Sequence, residues 1–195
     1  SALLAAAGGN IYDVTLGTVD DGNDTYTKVL LQFSGTDGGT TITDSNAGGS
    51  AHSWTASGNA NTDNAQAKFG ATSLALDGTG DYNSVVDHAH FTLGSDDFTN
   101  DCWFNCTPPT GVDRAIAGQG EAGYDFTTAW VLRRDTDGPI RFYVRSIGGV
   151  ELLTSTTVFS DAVNTGWHHL AIVRSGSTWS MYIDGALEDS ETDAT

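Results

Sequence analysis

The chain has 195 residues, with 25 acidic side chains against 8 basic ones and a formal net charge of −17. That imbalance repels phosphate backbones and anionic bilayers, which disfavours nucleic-acid and membrane binding, and it attracts cations. The length suffices for one sizeable core, and all-β sandwiches of this size form a single domain.

Residues 1–25 lack sustained periodicity and are rich in Gly, Asp and Thr, so they read as an arm or attachment segment before a domain spanning 26–195. The opening SALLAAAGG has an Ala-x-Ala pattern but no basic region, and its apolar run is too short to span a membrane. It makes a poor secretion signal, and an N-terminus that has lost its initiator Met fits at least as well. Strand patterns follow at residues 28–33, 73–77, 82–86, 98–106, 130–134, 140–145 and 151–155. Between them, residues 40–67 are polar and small, and they read as an extended surface loop, the kind of segment that carries binding residues.

The last part of the chain is the clearest. Residues 167–173 are apolar on both faces, which is the mark of a central strand covered on both sides. In residues 178–183, Trp179, Met181 and Ile183 alternate with Thr178, Ser180 and Tyr182, the period of a half-buried strand. Asp184-Gly185 then supplies the positive φ angles of a tight hairpin, so a further strand begins at Ala186. Asp-Gly recurs at Asp21, Asp37, Asp77, Asp137 and Asp184, at uneven gaps that mark turns rather than a repeat. No segment carries a convincing helical period. The class is therefore all-β, a two-sheet antiparallel sandwich.

Cys102 and Cys106 lie in CWFNC. On a strand their Cα atoms stand roughly 13 Å apart, at about 3.3 Å per residue, whereas a disulfide needs roughly 5.5 to 6 Å. They do not bridge each other, and they read as small core residues.

The blocks FGATSLALDGTGDYNSV (residues 69–85), DDFTNDCWF (96–104), GWHHLAIVR (166–174) and WSMYIDGAL (179–187) resemble, in order and spacing, the laminin-G-like, concanavalin A-like lectin/glucanase jelly-roll family. Residues 29–49, VLLQFSGTDGGTTITDSNAGG, resemble in particular the versions of this domain in tailed-phage virion proteins. The resemblance implies a jelly roll, a role in binding or display, and often a structural calcium ion. It also implies closing strands after the YIDG hairpin. The edge over residues 186–195 is therefore expected to be covered by downstream sequence, by the arm or by a neighbouring chain.

Calcium takes oxygens from carboxylates, amides and carbonyls, and Asp44, Asn46 and Asp77 lie in the blocks where the family draws its ligands. Ser34 stands where an Asp is often found, which weakens that set. Glycan binding needs aromatic platforms near loops, for which Tyr82, Tyr124 and Trp130 are the candidates. His88 and His90 in DHAHF offer two imidazoles to a transition metal but have no third ligand nearby in sequence, so they read as a solvated loop. His168 and His169 read as structural. Glu occurs only at Glu121, Glu151, Glu188 and Glu191, with no Glu-x-Asp-x-x-Glu pattern for a pair of catalytic carboxylates, and there is no Gly-x-Ser-x-Gly elbow. The chain thus reads as a non-catalytic module of a virion, in a decoration, fibre or tail protein, whose partners are other virion proteins, copies of itself or a host-surface glycan. The alternative is an extracellular, calcium-dependent bacterial carbohydrate-binding module.

Overall fold

A computed structural model describes residues 23–105, 112–121, 125–144, 150–160 and 162–192. Among these, the strands are β1 (Trp54–Ser57), β2 (Asn61–Asp63), β3 (Ser73–Ala75), β4 (Tyr82–Val85), β5 (Phe98–Asn105), β6 (Arg114–Glu121), β7 (Asp125–Arg134), β8 (Pro139–Val144), β9 (Val150–Val158), β10 (Trp167–Ser175), β11 (Thr178–Ile183) and β12 (Ala186–Thr192). One 3₁₀ turn, Ala89–Phe91, precedes β5. The fold is an all-β antiparallel jelly-roll sandwich. Its two main sheets run β12-β11-β10-β5 and β6-β7-β8-β9, and β1-β4 and β2-β3 form two-stranded ribbons beside them.

Alternation decides which side chains meet in the middle. Leu170 and Ile172 of β10 oppose Ile183 and Met181 of β11, and all four are buried. From the other sheet Leu132, Ile140, Phe142 and Leu153 complete the same cluster. Phe142 and Trp179 meet across the gap with ring centroids 5.8 Å apart. Each fully buried side chain of this size contributes about 1.5 to 3 kcal/mol of transfer free energy.

The C-terminal hairpin is as the sequence predicts. Asp184 and Gly185 sit at φ 51° and 80°, the two positive angles of a type I′ turn, and β12 starts at Ala186. Among the described residues β12 is an edge strand whose only ladder partner is β11.

Elsewhere pairing overrides pattern. Residues 28–33 form no strand, only a single bridge from Leu31 to Asp44. The expected loop over residues 40–67 contains β1 and β2. The strand β6 has no alternation in RAIAGQGE; it is held by β7, with register shifts on the way. Gly118 allows a close approach there, since a Cβ would lie 3.0 Å from the Trp130 carbonyl oxygen, a tight contact. The arm expected over residues 1–25 lies, except for 23–25, outside the described residues, as does Cys106.

Candidate functional site

On β5 the even positions turn inward, with Phe104 buried, while Thr99, Asp101 and Trp103 face out. Register places His169 of β10 opposite Trp103 and Ala171 opposite Asp101. The segment between β2 and β3 then folds over this outer face. Its Phe69 meets the Trp103 indole edge to face, centroids 5.6 Å apart at 88°. Both rings remain open to solvent, Phe69 at 65% and Trp103 at 38%.

Polar groups frame the pair. Lys68 holds its ammonium 4.0 Å from the Trp103 centroid, a cation–π contact in a strongly acidic chain. His169 leans against Trp103 at 5.3 Å, and its Nε2 lies 3.4 Å from the Asp101 carboxylate. Asn105 donates to the Gln66 side-chain oxygen at 3.2 Å. The result is an exposed apolar surface bordered by a carboxylate, two amides, an imidazole and an ammonium. Such a surface can take the apolar face of a planar or cyclic ligand while its rim bonds the ligand's polar groups. The β11–β12 turn braces the start of β10 beside it. Asp184 accepts from the His169 backbone N–H at 2.9 Å and pairs with His168 Nδ1 at 2.7 Å. Partial burial opposes ionisation of Asp184, but the bonds from His168 and His169 win and hold its pKa below the ordinary value. His168 faces inward against Phe104 and Phe159, a structural role.

The predicted platform residues fare unequally. Tyr82 opens β4 and is 48% exposed, but no ring contact joins it to Phe69 or Trp103. Tyr124 lies outside the described residues. Trp130 is a correction: it is 7% exposed, packs on Phe142 in the core and donates its Nε1–H to the Phe91 carbonyl. An indole this deeply buried offers no platform to a sugar. Sequence reasoning missed Phe69 and Trp103. The outward parity of Trp103 on a strand with Phe98, Cys102 and Phe104 inside was the available signal.

The expected calcium ligands do not assemble into one shell. Asp44 is buried and already accepts backbone N–H groups from Leu30, Asn46 and His52 at 2.9, 3.2 and 3.1 Å. Asn46 sits beside it, with its buried amide atoms lacking a hydrogen-bond partner. Asp77 belongs to a different, exposed turn, where it accepts from Asn59 and Thr79, and it shares no hydrogen-bond partner with Asp44. The bonds from Asn59 and Thr79 lower its pKa against a small desolvation effect. A carboxylate spent on three backbone donors is a structural anchor, so the fit to calcium is poor.

Comparison with known proteins adds the following. A family model described as the concanavalin A-like lectin/glucanases superfamily matches residues 77–195, more than half of the chain. No curated protein matches. Among solved structures, the chain is similar to a carbohydrate-binding module, CBM66, from Bacillus subtilis, with 18% identity over 73% of this chain and 80% of that one, at a TM-score of 0.42.

Proposed function

The chain belongs to the concanavalin A-like lectin/glucanases superfamily, and on that premise we propose that it is a non-catalytic carbohydrate-binding module whose ligand lies across Phe69 and Trp103. The observation that carries this is the edge-to-face pair itself, two solvent-open rings ringed by Gln66, Lys68, Asp101, Asn105 and His169. Aromatic rings stack on the C–H face of a sugar, and amides and carboxylates take its hydroxyls. Hydrolysis asks for something else, two carboxyl groups held about 5 to 10 Å apart across a scissile bond. The rim is a hydrogen-bonding frame, and the fold alone does not choose between the two roles.

A glycan array probed with the wild-type protein and with Trp103→Ala and Phe69→Ala tests this. Binding present in the wild type and lost in both variants is the expected result. Binding that survives both, or none at all, overturns it. Binding should also persist in EDTA, since stacking and amide hydrogen bonds need no ion.

The opening block at residues 29–49 favours a virion setting, in which an assembled particle displays this face. Mass spectrometry of purified virions would then contain the protein; its absence there would favour the extracellular module.

A further inference from the structure

Three histidines converge at the other motif that the glycan platform leaves unused. His52 lies just before β1, and its backbone N–H is pinned by Asp44 at 3.1 Å. His88 caps the 3₁₀ turn, with Nδ1 accepting from the His90 N–H at 3.1 Å. His90 follows on the same turn, so the missing third imidazole for His88 and His90 is supplied from 38 residues earlier in the chain. Nε2 of His52 and Nδ1 of His90 are 3.1 Å apart. The ring centroids of His52 stand 5.0 Å from His88 and 5.2 Å from His90, and those of His88 and His90 are 4.1 Å apart. One ring nitrogen from each residue lies within 4.8 Å of those from the other two, the only such group of three His, Cys, Asp or Glu among the described residues.

We propose that His52, His88 and His90 form a binding site for a first-row divalent transition metal, zinc being the ion the donor set fits best. Imidazole nitrogen is a borderline ligand that suits zinc, copper and nickel, whereas calcium wants oxygen. Zinc–nitrogen bonds of about 2.0 to 2.1 Å place tetrahedral neighbours about 3.3 to 3.4 Å apart. The His52–His90 spacing is already within a few tenths of an ångström of that. His88 and His52 also form part of the wall of an open cleft of about 370 Å³ that includes Ser50, Ser53 and Asp87. A metal held by three imidazoles would present its fourth position to water or to a ligand there, the arrangement of an open rather than a closed zinc site.

The proton balance is simple. In the metal-free protein one of the two facing nitrogens of His52 and His90 carries the proton of their shared hydrogen bond. That ring moves the proton to its other nitrogen on loading, leaving both facing lone pairs for the ion. His88, which carries its proton on Nε2 while Nδ1 caps the turn, either shifts that proton to Nδ1 and ligates through Nε2, or gives up the cap and ligates through Nδ1. No oxidant or reductant is involved. Gly49 leaves room for the His90 ring, where a Cβ would lie 3.3 Å from Cε1, and Phe91 packs on His52 at 5.0 Å.

The test uses tag-free protein stripped with EDTA and dialysed. Titration calorimetry with zinc chloride should give one ion per chain with a rise in Tm, and cobalt(II) should give the intense visible bands of a four-coordinate site. His52→Ala and the exposed His88→Gln should each weaken zinc by at least about tenfold. His88 is exposed and its ring caps only a single 3₁₀ turn, so His88→Gln should move the apo-protein Tm little and separates lost binding from lost fold. Absence of zinc heat and of any Tm shift, or an affinity unchanged in folded His88→Gln, would overturn the site.

Discussion

Glu188 of β12 is bonded twice to Thr157 of β9, with Oε2 accepting the backbone N–H at 2.9 Å and Oε1 the hydroxyl at 2.7 Å. The same carboxylate takes the Thr156 N–H at 2.8 Å, and Asp189 takes that of Thr154 at 2.8 Å. β9 and β12 are edge strands of opposite sheets. Two carboxylates on one edge therefore take backbone donors of the other, which ties the two sheets together along these edges and blunts β9 as a template for aggregation.

Replacing Glu188 by Ala should cost about 1 to 2 kcal/mol, the value of charge-assisted hydrogen bonds at a partly exposed site. Urea unfolding would measure it. Light scattering near the midpoint should rise as well, because the β9 donors are released.

The acid limb of stability should carry the same signature. Partial burial pushes the Glu188 pKa up, but the hydroxyl and N–H donors of Thr156 and Thr157 outweigh it and bring the value below the ordinary 4.5. A depressed carboxylate pKa contributes stability that is fully present above the unfolded value and is lost as pH falls through the folded one. Wild-type stability should thus fall below about pH 4.5, and Glu188→Gln should flatten that limb. Denaturant midpoints measured from pH 6 down to pH 3 would show whether it does.

Asp135 at the β7–β8 hairpin is buried and accepts from Arg133, Arg141 and, at 2.8 Å, the Tyr143 hydroxyl. Asp135→Ala removes the acceptor these groups share, but Arg141 keeps its two bonds to Asp137 and Arg133 its contact with Asp113 at 3.5 Å, so the fold should lose about 2 kcal/mol, the scale of hydrogen bonds to a charged group. A loss of under 1 kcal/mol in thermal or chemical unfolding would contradict the assignment.

Burial, helped by the neighbouring Asp101 charge, pushes the Cys102 thiol up to about 12. At pH 8 it should resist iodoacetamide in the folded protein and react on unfolding, since the thiolate is the reactive form. Peptide mapping by mass spectrometry distinguishes it from Cys106.

Trp103→Ala, on the solvent side of β5, should leave stability within about 1 kcal/mol of wild type while removing glycan binding. Leu170→Ala, on the inner side of the neighbouring strand, should do the reverse to stability and cost about 2 to 5 kcal/mol. Unfolding curves of the two variants compare the faces directly.

What the sequence determined by itself is local. The alternation of Trp179, Met181 and Ile183, the apolar run from Trp167 to Val173 and the Asp184-Gly185 turn each rest on a few adjacent residues, and each is found in the structure. Strand parity follows from the same period of two, and it already carries the inward Leu170 and the outward Trp103. Tertiary structure alone decided what crosses between elements. Trp130 had the composition of a platform, but its strand lies between β6 and β8 with its ring against Phe142, so it belongs to the core. Asp44 had the chemistry of a metal ligand, yet the chain folds three backbone donors onto it. Phe69 reaches Trp103, and His52 reaches His88 and His90, only because loops return over the sheets at long sequence separation. Such contacts depend on register and loop path, which no short window of residues encodes.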